Sequence, residues 1–282
     1  MVKILVLIPV WCRPQITEIC YLGLTRLQKV KGYKITPLII CSNKEDESLA
    51  KKYKFDTVFY KNDPLGEKKN FGLQEALKRD FDYLMEINSD DVVKNELLEI
   101  YRDPIERKVP FFGLQNFAFV DSPTGNVRHY ITKTLFGIGR MYHKDLLKVV
   151  STCQEVEPLD SFIASSGVMN RGVRQNLAVD TANELAKCGL VKKIKGVTNK
   201  LWDDKANSGM DNHSEWVYSF HGVKAEKILT DEPLAMDIKS DVNIWKFNKN
   251  IGQDYGLNQL LEGLTKKEQC AIRELQMQPV SL

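Results

Sequence analysis

The chain has 282 residues, room for one large α/β domain or two smaller ones, and too many for a disulfide mini-scaffold. Apolar residues make up 43% and charged residues 27%, an ordinary globular balance that excludes disorder over most of the chain. Forty Lys and Arg against 37 Asp and Glu leave +3, a smaller surplus than a dedicated duplex-binding protein carries.

The chain opens on Val2–Pro9, a continuous β-branched and Leu run expected of a strand buried on both faces. The apolar run from Ile4 to Cys12 is broken by Pro9 and is too short to span a bilayer. It has no small-residue cleavage site and runs directly into Arg13-Pro14, so it reads as a strand rather than a signal peptide. Residues 15–30 place Ile16, Ile19, Cys20, Leu24 and Leu27 on one helical stripe. Residues 34–41 read as a second buried strand, 44–53 as a short charged helix and 57–60 as a third strand. Residues 65–79 read as a helix and 83–87 as a fourth strand. This βαβαβαβ order predicts a parallel sheet with right-handed crossovers.

After Asp91 the rhythm changes. Residues 109–114, 116–120 and 127–134 are strand-like, with Ser122-Pro-Thr-Gly125 as turn chemistry, so an antiparallel addition is expected. Residues 144–153 and 173–188 read as helices, and Asp211-Asn212 as the cap of a helix running to His221, with Gly222 as its stop. Residues 224–229 and 234–238 look like late strands, and 265–276 like a terminal helix. No repeat or Pro/Gly/Ser-rich linker divides the chain. One α/β unit over residues 1–240 is expected, with 241–282 as an extension packed on it. The six cysteines stand singly with no CxxC, which disfavours a zinc knuckle and fits a reducing cytoplasm, the expected compartment.

The most informative stretch is Phe81-Asp-Tyr-Leu-Met-Glu-Ile-Asn-Ser-Asp-Asp91. A buried strand runs straight into Asn88-Ser89-Asp90-Asp91, and open α/β sheets bind ligands at the carboxyl ends of their strands. Adjacent carboxylates there repel unless a cation or basic group sits between them, and Mg²⁺ or Mn²⁺ suits carboxylate oxygen while bridging to phosphate. The competing reading makes Ser89, Asp90 or Asp91 the cap of a helix starting near Val92. Upstream, Gly66-Glu-Lys-Lys-Asn-Phe-Gly-Leu-Gln-Glu-Ala76 opens a helix with Lys68, Lys69 and Asn70 in its first turn. Such a terminus attracts phosphate, although lysines are also commonly just solvated.

Four features together resemble the GT-A-fold nucleotide-sugar glycosyltransferases, in the style of the inverting family 2. They are the opening strand Ile4-Leu-Val-Leu-Ile-Pro-Val10 ending in Trp11-Cys-Arg13, Asn70-Phe-Gly-Leu73 with Ala76, Tyr83-Leu-Met-Glu-Ile-Asn-Ser-Asp-Asp91 in the place of the family's DxD, and Gly137-Ile-Gly-Arg-Met-Tyr-His143. The resemblance covers about residues 2–165. It implies a mostly parallel central sheet with helices on both faces, a small antiparallel addition and a helical C-terminal extension. Residues 1–91 would form the nucleotide half and 92–240 the acceptor half.

The resemblance also implies roles. Pro9, Val10 and Trp11 would support the base, Arg13 the base or diphosphate, and Asn43 the base or ribose; Trp11 and Arg13 serve packing and solvent equally well. Lys69 and Asn70 would approach the nucleotide, with Ser89 beside it. Asn88 stands where the family has the first Asp, and brings a ribose or phosphate contact without charge. Asp90 becomes the metal ligand, Asp91 a second ligand or a structural residue, and His213 a candidate to complete the shell, with His221 behind it. Asp160, in Glu157-Pro-Leu-Asp-Ser-Phe162, takes the place of the general base, with Glu157 in reserve; a helix cap explains Asp160 as well. Asp237 and Trp245 would face an acceptor, or Asp237 and Lys239 would form a buried ion pair.

The implied activity is glycosyl transfer from a UDP-sugar, assisted by Mn²⁺ or Mg²⁺. The acceptor stays open among glycan, lipid, protein and modified DNA bases, the last as in phage-type transferases. A nucleotidyltransferase is the first rival, but its glycine-rich loop after strand one has no counterpart in Trp11-Cys-Arg-Pro14. A Walker A loop and a GxGxxG are absent. The second rival is a non-catalytic nucleic-acid or protein-binding module using the basic run Lys192, Lys193, Lys195 and Lys200.

Overall fold

A computed structural model describes residues 1–152, 201–202, 223–240 and 247–276. Its first four strands are β1 (Val2–Pro9), β2 (Tyr33–Cys41), β3 (Asp56–Phe59) and β4 (Tyr83–Glu86), alternating with helices α1 (Pro14–Leu27), α2 (Lys44–Lys52) and α3 (Leu65–Leu77). β1 pairs in parallel with β2 on one side and β4 on the other, and β2 pairs in parallel with β3. The expected fold class is what the chain adopts: an α/β architecture with a mostly parallel central sheet, helices on both faces and a helical C-terminal part.

The apolar run of β1 serves two cores because alternate side chains point to opposite faces. Ile4, Val6 and Ile8 join Cys20, Tyr21 and Leu24 of α1 in one core. Leu5 and Leu7 join Leu73 and Ala76 of α3 in the other. α3 lies so close to the sheet that a Cβ on Gly72 would meet Ile40 Cδ1 at 2.1 Å and Leu7 Cδ1 at 3.1 Å. Gly72→Ala is therefore expected to destabilise the chain by about 1–3 kcal/mol through overpacking, read by urea unfolding. An unchanged midpoint would show that the helix can lift off the sheet without cost.

Beyond β4 come β5 (Asp91–Val93), α4 (Glu96–Ile100), α5 (Arg102–Glu106), β6 (Phe111–Leu114), β7 (Asn116–Asp121), β8 (Val127–Ile131), β9 (Arg140–His143) and α6 (Lys144–Thr152). Later elements are β10 (Glu226–Ile228), β11 (Ala235–Lys239), β12 (Gln253–Asp254), α7 (Leu257–Leu261) and α8 (Lys266–Gln276). β9 runs antiparallel between β4 and β6, and β10 adds in parallel to β6, giving a seven-stranded sheet ordered β10-β6-β9-β4-β1-β2-β3. In place of a purely antiparallel addition there is a second, mixed sheet, β12-β8-β7-β11-β5, built around the antiparallel β7–β8 hairpin, with β11 parallel to β7.

Two local readings are corrected here. The segment at Val92 does not start a helix: Asp91–Val93 is a strand, and the next helix begins at Glu96. Gly137–His143 was not read as a strand, yet its second half is the central antiparallel strand β9.

α1 is shared between the sheets. Its second stripe, Ile16 and Ile19, packs with Val92, Ala118, Met236 and Ile238 of the smaller sheet and with Leu260, Leu261 and Ile272 of α7 and α8. Arg26 pins these parts together. Its Nε donates to Glu268 at 3.1 and 3.0 Å, Nη1 to Asn95 Oδ1 at 2.6 Å and Nη2 to the Val93 carbonyl at 2.7 Å. Both charged groups are buried, and Glu268 also caps α8 through the Thr265 amide and hydroxyl. The C-terminal helix is thus tied to β5.

Candidate functional site

The chain leaves β1 outward to β2 and β3, then returns to the other side of β1 as β4. The strand order therefore reverses between β1 and β4, and a crevice opens at the carboxyl ends of such a pair. Two segments meet there. One is Val10–Arg13, leading from β1 into α1, with Cys12 in the left-handed region at φ 51° and Pro14 opening the helix. The other is Ile87–Asp90, joining β4 to β5.

Arg13 spans the junction. Its Nη1 donates to Asp90 Oδ2 at 2.8 Å and its Nη2 to Ser89 Oγ at 2.8 Å. The Asn88 amide donates to Asp91 Oδ2 at 2.6 Å, which folds the acidic loop back on itself. β11 pairs antiparallel with β5 so that Asp237 lies directly opposite Asp91, and the Ile238 amide donates to the Asp90 carbonyl. Asp90, Asp91 and Asp237 each bring one carboxylate oxygen within 4.8 Å of the others, and all three residues are buried.

Like charges opposite one another in a sheet are unfavourable, and burial makes them more so. Among the described residues, two resident cations offset part of this: Arg13, and Lys239, whose Nζ lies 2.5 Å from Asp237 Oδ2 and over the Phe119 ring. Burial pushes the Asp91 carboxyl well above the ordinary carboxylate range, with Asp90 and Asp237 adding to the shift. Burial also raises Asp237; Lys239 restrains that shift, and Asp90 adds to it. Among the described residues, Asp91 Oδ1 and Asp237 Oδ1 are buried with no hydrogen-bond partner. An all-oxygen donor set with two unpartnered carboxylate oxygens fits a hard divalent cation such as Mg²⁺ or Mn²⁺.

The other residues singled out from the sequence fall into three groups. Pro9 and Val10 are buried at the end of β1, and Trp11 beyond them is 51% exposed. Asn43 follows β2, where its Oδ1 caps α2 by accepting from the Asp46 amide. Asp160, Glu157, His213, His221 and Trp245 lie outside the described residues, as do the helices read at 173–188 and 211–221.

Lys69 and Asn70 require a correction. They do not extend from the helix start toward a ligand but are buried against the sheet. Lys69 Nζ lies 2.5 Å from Glu86 Oε1, and Asn70 pairs with both the amide and the carbonyl of Trp202. Lys68 is not a solvated lysine either: its Nζ donates to the Val10 carbonyl, Ser42 Oγ and Asn62 Oδ1, and burial pulls its pKa down to about 8. It ties the carboxyl ends of β1 and β2 together.

Sequence reasoning anticipated the Asp237–Lys239 ion pair but not that Asp237 joins Asp90 and Asp91. The signal was the alternation Met236-Asp237-Ile238-Lys239, a strand that inserts two charges between apolar neighbours. It also passed over Glu86, which accepts from Arg140 Nη2 at 2.9 Å and Tyr142 Oη at 2.8 Å besides Lys69. Burial alone would raise the Glu86 carboxyl, but Arg140 and Lys69 overcome it and hold it at about 2.

No protein-family model and no curated protein sequence matches the chain. Among solved structures it is similar to S. aureus TarS 1-349 in complex with UDP, at 12% identity and a TM-score of 0.45, over 84% of this chain and 61% of that one. It spans 37% of a longer S. aureus TarS structure. It is similar, too, to CMP:2-keto-3-deoxy-manno-octonic acid synthetase complexed with CTP, at 12% identity and a TM-score of 0.39, over 81% of this chain and 90% of that one. A cytidylyltransferase from Leptospira borgpetersenii aligns at 16% identity and a TM-score of 0.37, over 54% of this chain and 65% of that one.

Proposed function

We propose that the chain is a metal-assisted glycosyltransferase that moves a sugar from a nucleoside diphosphate donor, UDP-sugar first, to an acceptor hydroxyl. The carrying observation is the buried carboxylate triad, with two unpartnered oxygens, at the point where the parallel sheet reverses its strand order. A site built only for stability would not hold three carboxylates together there.

Asp90, Asp91 and Asp237 would hold the cation, which when bound neutralises the diphosphate and its charge on departure. Residues 1–91 serve as the nucleotide half, with Val10, Trp11 and Asn43 on the base side of the crevice and Arg13 and Ser89 on the phosphate side. Residues 92–240 serve as the acceptor half, and 241–282 as an extension packed on it. Asp160 takes the proton of the acceptor hydroxyl as its oxygen attacks the anomeric carbon. The bond from that carbon to the diphosphate oxygen breaks, and the diphosphate leaves with the electron pair, inverting the centre. Asp160→Asn is expected to lower turnover with donor affinity preserved; unchanged turnover would move the base elsewhere.

The direct test is a thermal-shift panel of nucleotides and nucleotide sugars with and without Mn²⁺. A donor at a hundredfold its dissociation constant stabilises the fold by about 2.7 kcal/mol. Stabilisation by one nucleoside diphosphate and its sugar, enhanced by Mn²⁺, is the expected result. A flat panel would remove the enzyme reading. Pyrophosphate released from a nucleoside triphosphate, in place of UDP from a UDP-sugar, would assign the site to nucleotidyl transfer.

A further inference from the structure

We infer that Arg13 is the exchangeable counter-ion of the carboxylate triad: it fills the cation's place beside Asp90, and an arriving divalent ion releases its guanidinium to the diphosphate of the donor. The inference rests on the metal-assisted reading above.

The two resident cations differ in how they are held. Lys239 is fixed. It belongs to β11, its side chain is 6% exposed, its ammonium touches Asp237, and the Phe119 ring lies beneath it at 5.3 Å. Arg13 comes from the lead-in to α1, its side chain is 20% exposed, and both prongs of its fork rest on the acidic loop, on Asp90 and Ser89. Solvent reaches Arg13, so an ion can exchange with it; Lys239 cannot leave without unpacking a strand.

Charge favours the exchange. Arg13 and an arriving divalent ion would both lie against Asp90, and a dication and a guanidinium on one carboxylate repel each other. The ion therefore displaces Arg13 from Asp90. The freed guanidinium stands at the phosphate side of the crevice, where its planar fork suits a diphosphate. The two events are linked in both directions: the ion prepares Arg13 for the diphosphate, and the diphosphate, by drawing Arg13 away, tightens the ion.

The test is a Mn²⁺ titration of the full chain followed by electron paramagnetic resonance, which reads binding without turnover. In the absence of nucleotide, Arg13→Gln is expected to bind Mn²⁺ about tenfold more tightly than the parent chain, because the competing charged hydrogen bonds are gone. Arg13→Lys keeps a competing cation and is expected to stay near the parent value. With Mn²⁺ saturating, Arg13→Gln is expected to bind UDP about tenfold more weakly, since a charge-assisted fork is lost. Equal or weaker Mn²⁺ binding by Arg13→Gln overturns the exchange while leaving the metal site standing. Failure of both the parent chain and Arg13→Gln to bind Mn²⁺ overturns the metal-assisted reading and the exchange with it.

Discussion

Replacing Asp91 with Asn is expected to stabilise the metal-free chain by about 1 kcal/mol and to cut glycosyl transfer by about 10²–10³-fold. The two effects have one origin. Asp91 is buried beside two other carboxylates, and neither resident cation is paired with it. An Asn at this position can still accept from the Asn88 amide through its carbonyl oxygen, as Asp91 Oδ2 does. Its amide group adds a donor toward Asp90 and Asp237, and the chain no longer buries a carboxyl whose ionised form burial and two neighbouring carboxylates disfavour. The same change removes an anionic ligand from the cation, and with it part of the stabilisation of the departing diphosphate. Urea unfolding in EDTA and turnover with UDP-sugar in Mn²⁺ check the two arms. A variant that is less stable and fully active would identify Asp91 as a structural residue of the β4–β5 loop.

Glu86→Gln is expected to cost about 3–5 kcal/mol of stability, because it leaves Lys69 and Arg140 buried together against a neutral amide. The effect depends on pH with a definite sign. The native carboxyl titrates at about 2, below its value of about 4.3 in an unfolded chain. Its contribution is fully present above about pH 4.3 and fades as the pH falls toward the native value, because the unfolded chain then binds a proton that the native chain does not. Urea midpoints of the parent and the variant should stand furthest apart near neutral pH and converge below about pH 4. A gap that stays constant through this range would mean that Glu86 acts through packing rather than charge.

The parallel half of the fold was legible because each of its elements carries its own periodicity. β1 carries an unbroken apolar run from Ile4, and α1 shows its stripe directly. Asn88–Asp91 was legible as a loop at the sheet's carboxyl edge because a buried strand delivers it there. β5 was misread because three residues, Asp91–Val93, carry no period, and only pairing with β11 makes them a strand. Asp237 stood out as a charge in an apolar strand, but its place beside Asp90 and Asp91 was not legible for the same reason: the pairing that sets it against Asp91 is long-range. Lys68 and Lys69 failed differently. A buried lysine and a solvated one look identical in a sequence, and only the partners, Ser42 and Glu86, distinguish them.

The pin between Arg26 and Glu268 joins positions 242 apart in the chain, and β5 likewise finds its partner only in β11. During synthesis from the N-terminus, the ribosome therefore delivers Asp90 and Asp91 long before Asp237 and Lys239 exist. Of the two cations beside the triad among the described residues, Arg13 is made with the first strand and Lys239 only with β11. The acidic loop of the nascent chain thus has Arg13 beside it early, while the carboxylate set is completed only when β11 has been made. Under the proposed function, a product that stops before β11 lacks Asp237 and with it one of the three carboxylates that would hold the cation.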